Sequence, residues 1–165
     1  MRTKFSIFKT KKGFTLIELL VVISIIGLLM SFLFVSYSGA QKQTRDAQRK
    51  SNLSQYRAAL EALANVNNDY YPSYTSNVPA SGSLCSTSLA KVISACPDDP
   101  SKADDSTFVY NYQSNGTGGG TTTATQYVLW TKLEETQDFW VICSKGKTGV
   151  KTQQGFSVSG GACPI

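Results

Sequence analysis

The segment KKGFTLIELLVVISIIGLL, residues 11–29, decides the fold. It changes at Gly13 from basic to apolar, and the apolar run continues through Ser36 with Glu18 as its one charge. About 20 apolar residues in a helix span the hydrocarbon core of a bilayer. An ionised carboxylate in such a run is costly unless it has a partner, so Glu18 indicates a functional site.

Positive charge is concentrated before the apolar run. The 165-residue chain has a formal net charge of +5. Five basic residues and no acidic one precede Gly13: Arg2, Lys4, Lys9, Lys11 and Lys12. Beyond them basic and acidic residues are equal in number, so the basic pI is weak evidence for nucleic-acid binding. A secretory signal peptide would have a shorter apolar core followed by a small-residue cleavage site, which this sequence lacks.

The apolar run leads into a segment with helical periodicity and no proline before Pro72. A stripe of four residues recurs at helical spacing: Leu53, Tyr56, Leu60 and Leu63. We expect one helix over about 14–66, apolar all round in its first half and amphipathic in its second. The Asn-Asn-Asp run at 67–69 should end it. A second, short helix is expected over LAKVISA, residues 89–95, capped by Ser88.

From residue 107 the hydrophobic period changes to two, which predicts strands. Three strands are expected over TFVYNYQ, TQYVLWTKLE and DFWVICS, with a short fourth near GFSVS, residues 155–159. In the second strand Tyr127 and Leu129 should lie on one face, and Val128 and Trp130 on the other. The Gly/Thr tract at 114–125 should be a mobile hairpin loop. The predicted fold class is α+β, a long N-terminal helix packed on a small antiparallel sheet.

The four cysteines all follow the apolar run, which favours two disulfides formed in an oxidising compartment. Four cysteines allow three connectivities. We predict Cys85–Cys96 and Cys143–Cys163, because each bridge closes a local segment. Free thiols are the alternative. A zinc site is disfavoured, because the sequence has no C-x-x-C pair and no histidine.

Residues 11–29 closely resemble the N-terminus of type IV prepilins and type II secretion pseudopilins, with its basic leader, Gly, Phe and Thr-Leu-Ile-Glu. The resemblance implies a class III signal peptide that a prepilin peptidase cuts between Gly13 and Phe14. It also implies N-methylation of Phe14. Glu18 then corresponds to the glutamate that pairs with the amine of Phe14 of a neighbouring subunit. Such pairing would neutralise two charges that both lack water inside an apolar helix bundle.

The expected organisation has three parts: a cleaved basic leader at 1–13, a transmembrane and assembly half of the helix at 14–41, and an extracytoplasmic globular domain at 42–165. The precursor would cross the cytoplasmic membrane once. After cleavage the subunit would enter an extracellular or periplasmic filament.

The middle of the chain resembles the sheet region of G-type pseudopilins, in which an Asp-rich loop can hold calcium. The corresponding candidate ligands here are Asp98, Asp99, Asp104 and Asp105, whose oxygens suit a hard cation. The alternative is a solvated acidic loop, since the spacing fits no EF-hand. No other cofactor is expected.

Two basic clusters could meet lipid head groups or DNA. The first is Lys42, Arg45, Arg49, Lys50 and Arg57, and the second is Lys145, Lys147 and Lys151. The favoured alternative is a polar helix face with local ion pairs such as Arg57–Glu61.

Several other functions are disfavoured. The chain has no histidine for a Ser–His–Asp or Cys–His nucleophile, and its carboxylates show no paired placement, so an enzyme is not expected. GKT at 146–148 lacks the first glycine of a phosphate-binding loop. Asn115-Gly116-Thr117 fits a glycosylation acceptor, although the pattern is short and common.

The predicted function is therefore a structural subunit of a type IV pilus-like filament, assembled as a homo-oligomer by pilus or secretion machinery. Three alternatives stay open: a G-type pseudopilin of type II secretion, a minor pilin that binds DNA or surfaces, and a membrane-anchored domain that never assembles.

Overall fold

The computed structural model describes residues 13–165, and for 32–36 it describes the backbone only. Its longest element is helix α1, Leu16–Val66, which confirms the helix expected from the periodicity. Contacts divide the chain into two units, one ending at Gly39 and the other Ala40–Ile165. The predicted leader lies outside the described residues except for Gly13.

Helix α1 ends at the predicted Asn-rich stop. Asn68 and Asp69 have φ values of 56° and 62°, a left-handed conformation that Asn and Asp tolerate better than other side chains. The backbone N–H groups of Asn67 and Asp69 both donate to the carbonyl of Ala64. These bonds satisfy a carbonyl that the last turn of the helix would otherwise leave unpaired.

The second unit contains seven short strands and a second helical segment. They are β1 Tyr71–Pro72, β2 Val78–Pro79, α2 Ala80–Leu89, β3 Asn111–Ser114, β4 Thr122–Ala124, β5 Tyr127–Lys132, β6 Phe139–Cys143 and β7 Thr148–Lys151. Five strands form an antiparallel sheet in the order β2-β3-β5-β6-β7, and β1 pairs with β4. The α+β class expected from the sequence is confirmed.

One face of the sheet packs against α1. All four residues of the predicted stripe are buried in one cluster with side chains of β3, β5 and β6. Tyr112 and Leu129 are directly opposite each other across β3 and β5, and Leu129 is opposite Ile142 of β6. The amphipathic half of α1 therefore covers the sheet as predicted.

The other face of the sheet is covered by the C-terminal tail. Val128, Trp130 and Val141 form a second cluster against which Phe156 and Val158 pack. The predicted fourth strand at 155–159 is wrong, because the structure places that strand earlier, at β7. The apolar residues of GFSVS serve to cover the sheet, and this requires no ladder of hydrogen bonds.

The second helical segment also differs from expectation. It is a wide, irregular helix at Ala80–Leu89, interrupted by a non-helical conformation at Gly82, and it precedes the predicted 89–95. Its buried side chains Leu84, Cys85 and Leu89 belong to the main core. Ser88 donates to the carbonyl of Gly120 and does not cap a helix. Here burial in the core overrides the low helix propensity of a Ser/Gly-rich segment.

The Gly/Thr tract contains strand β4 and is more structured than the hairpin loop expected from its sequence; its predicted mobility stays a prediction. Its strand β4 pairs with β1, and Ser73 holds the tract further along. The N–H of Ser73 donates to the carbonyl of Thr121 (2.7 Å), and the N–H of Gly118 donates to the Ser73 hydroxyl (2.6 Å). Gly118 and Gly120 have φ values of 86° and 80°, which let the chain curl around that hydroxyl.

The disulfides are Cys85–Cys96 and Cys143–Cys163, the pairing predicted from the sequence. The first joins α2 to the loop that follows it, and the second joins β6 to the C-terminal tail. Cys143 is buried beside Val128, so this bridge fixes the tail against the sheet face that it covers.

Within the described residues 13–165, no helix combines the length and the apolar character that are needed to cross a membrane. The transmembrane role predicted for 14–41 stays a prediction.

Candidate functional site

The first turn of α1 is closed by a reciprocal pair of hydrogen bonds. The N–H of Thr15 and its hydroxyl donate to Oε2 of Glu18 at 2.8 and 2.7 Å. The N–H of Glu18 donates back to the Thr15 hydroxyl at 3.2 Å. This arrangement is a capping box with Thr15 as the N-cap. The Glu18 carboxylate accepts the N–H of Thr15, and the Thr15 hydroxyl accepts the N–H of Glu18.

Sequence reasoning placed Glu18 at the site but missed its partner Thr15. The signal was present, because Thr-x-x-Glu directly before an apolar run is the pattern of a capping box. Both recorded bonds to the Glu18 carboxylate are accepted by Oε2. Within the described part of the chain, Oε1 of Glu18 takes no part in the capping box.

A long apolar surface follows the capping box. The described part of the first unit exposes a large apolar side chain at almost every position: Phe14, Leu16, Ile17, Leu19, Leu20, Val21, Val22, Ile23, Ile25, Ile26, Leu28, Leu29, Met30 and Tyr37. Phe14 and Leu16 are each 86% exposed. Apolar surface of this extent marks a site of protein–protein or membrane interaction.

The predicted cleavage junction directly precedes the capping box. Gly13 and Phe14 are exposed and belong to no helix or strand. A Cβ added to Gly13 would meet no atom within 4 Å. The described part of the fold therefore places no steric demand for glycine at this position.

The first basic cluster does not form one surface, because Arg49 is fully buried. Its five N–H groups make five bonds. Nε and Nη2 donate to the two oxygens of Asp99 at 2.8 and 2.9 Å. Nη2 also donates to Ser101, and Nη1 donates to Asp46 and Glu134 at 2.8 and 3.2 Å. A guanidinium has five donors, so Arg49 is saturated.

Two neighbours complete this ion cluster. Arg45 binds Glu134 through Nε and Nη2 at 2.7 and 2.8 Å. Asp46 accepts the backbone N–H groups of Glu134 and Glu135 at 2.8 and 3.0 Å. The cluster joins α1, the 97–105 loop and the β5–β6 turn.

Ionisation in the cluster is shifted towards the charged forms. Burial of Arg49 on its own would lower the pKa of its guanidinium, but hydrogen bonds to Asp99, Asp46 and Glu134 raise that pKa above its ordinary value. The hydrogen bond from Arg45 holds the pKa of the Glu134 carboxyl below its usual range. Arg49 and Glu134 are therefore both held in their charged forms at neutral pH.

The four candidate calcium ligands do not converge on a common point. Asp99 holds Arg49 with both oxygens, and Asp98 binds Lys102 at 2.8 Å. Asp105 accepts the N–H of Thr107. Among the described residues, no three His, Cys, Asp or Glu side chains are grouped as a metal site would require. These carboxylates do not fit a calcium site.

The other polar candidates form hydrogen bonds within the second unit. The predicted Arg57–Glu61 ion pair is not among those of the described residues; Glu61 accepts the hydroxyls of Tyr71 and Tyr127 at 3.0 and 3.1 Å. Lys147 donates to the terminal oxygen of Ile165. The first basic cluster does not form an unbroken cationic surface, because Arg49 is buried, and DNA binding stays a prediction.

The glycosylation candidate Asn115 is held by three hydrogen bonds. Its Nδ2 donates to the Thr125 hydroxyl, and its Oδ1 accepts the N–H groups of Thr125 and Gln126 at 2.8 and 2.9 Å. The side chain closes the loop between β3 and β5. In this structure Asn115 has a local structural role.

Comparison with known proteins gives one match. Residues 8–34 match the family model described as the prokaryotic N-terminal methylation motif, the class III signal peptide of type IV pilins and pseudopilins. The match includes the junction, the capping box and the start of the apolar surface. No curated protein and no solved structure matches the chain. The N-terminal resemblance predicted from the sequence is thereby confirmed.

Proposed function

We propose that the chain is the precursor of a structural subunit of a type IV pilus-like filament. The methylation motif supports a pilin-like or pseudopilin subunit and implies processing by a prepilin peptidase. In our proposal the peptidase removes residues 1–13 and Phe14 becomes the N-methylated first residue. The precursor waits in the cytoplasmic membrane, and the mature subunit joins a homo-oligomer.

The observation that carries the proposal is the apolar surface directly after the cleavage junction, in which Glu18 is the one charge. Packing this surface against its copies removes apolar area from water, which favours assembly out of an aqueous surrounding. In a membrane the same surface lies in lipid. The subunit can therefore be stored in one environment and assembled in another.

Glu18 would select the register of assembly. Cleavage creates an amine at Phe14, about one helical turn from the carboxylate. In a bundle of apolar helices a carboxylate or an amine without a partner is strongly unfavourable, and pairing them between subunits offsets the loss of water. Oε1 of Glu18 is the oxygen suited to that amine. Uncleaved precursor lacks the amine and stays unassembled.

Cleavage can be tested with the full chain in detergent and a purified prepilin peptidase, with the product mass as readout. We expect loss of residues 1–13 from the parent and no cleavage of Gly13→Leu. Gly39→Leu is the matched control, because a Cβ at Gly39 also meets nothing within 4 Å. An uncleaved parent, or cleavage of Gly13→Leu at the parental rate, would contradict the proposal.

A further inference from the structure

The geometry around Arg49 resembles that of a bound cation. Carboxylates from three separate segments converge on it: Asp46 of α1, Asp99 of the 97–105 loop and Glu134 of the β5–β6 turn. Carboxylate oxygens are also ligands of divalent metal ions, although the carboxylates of the described residues are not grouped as a metal site would require. Here the positive centre is a side chain of the chain itself.

The guanidinium satisfies the site completely. All five N–H groups are used, Asp99 is bound at both oxygens, and Arg49 is inaccessible to solvent. The ring of Phe108 lies 4.4 Å from the guanidinium carbon and closes the site on one side. Because Arg49 binds both oxygens of Asp99, the 97–105 loop has no group of carboxylate oxygens left that could bind a metal ion together.

We propose that Arg49 is the built-in cation of the 97–105 loop, and that the loop is ordered without a calcium ion. The second unit then orders this loop and the β5–β6 turn without any divalent cation. This inference concerns Ala40–Ile165 only and does not depend on cleavage or filament assembly.

The arrangement also makes the order of the loop depend on α1. Asp99 is 50 residues from Arg49, and Glu134 is 85 residues from it. If the cation is removed, the buried carboxylates of Asp46 and Asp99 lose the ion pair that compensates their charge, although Glu134 keeps Arg45. A buried charge without compensation is strongly destabilising. An exposed ion pair of the same loop has no such effect.

The first experiment measures the melting temperature of the full chain in detergent by tryptophan fluorescence, in calcium chloride and in EGTA. Both tryptophans, Trp130 and Trp140, belong to the sheet. We expect the same melting temperature in both solutions. A melting temperature that rises with calcium would overturn the proposal.

The second experiment compares Arg49→Met with Lys102→Met. Lys102 binds Asp98 of the same loop but is 44% exposed, so it is a matched surface control. We expect Arg49→Met to lower the melting temperature by about 10 °C or more and to open the 97–105 loop to limited proteolysis. Lys102→Met should behave like the parent. Equal behaviour of the two variants would overturn the role of Arg49.

If Arg49→Met does not fold, Arg49→Lys decides. It keeps the positive charge and loses the fork that binds Asp99 bidentately. We expect it to fold with a lowered melting temperature that calcium does not change. Failure of Arg49→Lys to fold would mean that a positive charge at this position is not sufficient to order the loop, which contradicts the proposal that the site requires a cation.

Discussion

Glu18 and Arg49 are charged side chains in places that charge usually avoids. Neighbouring groups stabilise each charge by hydrogen bonds. Glu18 accepts the N–H and the hydroxyl of Thr15, and Arg49 donates to three carboxylates and to Ser101. The difference lies in what remains. Arg49 has no free donor, whereas both bonds to the Glu18 carboxylate are accepted by Oε2. Arg49 therefore has a structural role, and in our proposal Oε1 of Glu18 takes part in assembly.

Thr15→Val should weaken the first turn of α1. The substitution keeps the shape and removes the hydroxyl that bonds with Glu18, and loss of an N-cap costs about 0.5–2 kcal/mol. Amide hydrogen exchange of residues 16–19 in detergent would measure it, with faster exchange expected. Thr15→Ser retains the hydroxyl and should exchange like the parent. If Thr15→Val also exchanges like the parent, the capping box does not stabilise this turn.

Stability should fall at alkaline pH because of buried tyrosines. Burial raises the pKa of Tyr110 to about 12, from an ordinary value of about 10. The folded chain therefore holds this proton more tightly than the unfolded chain does. Its contribution to the free energy of unfolding is complete below about pH 10 and is lost as the pH rises through 12.

Urea unfolding of the parent and of Tyr110→Phe at pH 8, 10 and 11 measures this linkage. The parent should lose more stability than the variant between pH 8 and 11. Tyr70→Phe is the control, because Tyr70 is exposed, and it should keep the parental pH dependence. Equal pH dependence of the parent and Tyr110→Phe would contradict the assignment.

The stripe on α1 shows where sequence periodicity is reliable. Leu53, Tyr56, Leu60 and Leu63 repeat at helical spacing over several turns, and all four are buried. A long, regular pattern averages out local exceptions, so this element could be predicted. The same holds for β5, whose alternating residues face α1 and the C-terminal tail.

Short elements were predicted less well, for physical reasons. The core buries Leu84 and Leu89 of the helix Ala80–Leu89. No periodic run in the sequence favours this segment over the predicted helix at 89–95. Phe156 and Val158 alternate like a strand, but ring contacts with Phe139 and Trp130 suffice to make Phe156 half-buried without strand pairing. The Arg49 cluster joins residues far apart in sequence. No local pattern in the sequence could show this cluster. For the same reason the sequence could not show that Asp99, a calcium candidate, binds Arg49.

Leu60→Ala should destabilise the second unit by roughly 2–5 kcal/mol, because it leaves a cavity between α1 and the sheet. Leu60 is fully buried in the main core, whereas Ala58 on the same helix is exposed, so Ala58→Ser should be nearly silent. Thermal melting of the full chain in detergent with intact disulfides compares them. A parental melt for Leu60→Ala would mean that the stripe does not support the sheet.

The molecule as a whole separates two tasks. The second unit has its own core, ion cluster and disulfides, whereas the described apolar side chains of the first unit are exposed. In our proposal the second unit is therefore stable before assembly, and the first gains its partners from lipid or from other subunits. This division of tasks could be predicted from the change of composition along the chain.

Removing a disulfide should affect the second unit according to the loop it closes. Cys143→Ser with Cys163→Ser opens a 20-residue separation and should cost about 2–4 kcal/mol. Cys85→Ser with Cys96→Ser opens 11 residues and should cost about half a kcal/mol less. Thermal melting of both double variants tests this order. The reverse order would indicate that contacts beyond chain entropy dominate.

The central claim is that cleaved subunits assemble through the apolar half of α1, guided by Glu18. The most direct measurement is the N-terminal sequence of the chain recovered from sheared, sedimented filaments of cells that express it with its peptidase and assembly machinery, for the parent and Glu18→Ala. The account predicts that the parental chain in this fraction begins at N-methylated Phe14, and that Glu18→Ala is cleaved but missing from it. A chain beginning at Met1 in the filaments, or Glu18→Ala present in parental amount, would contradict the account.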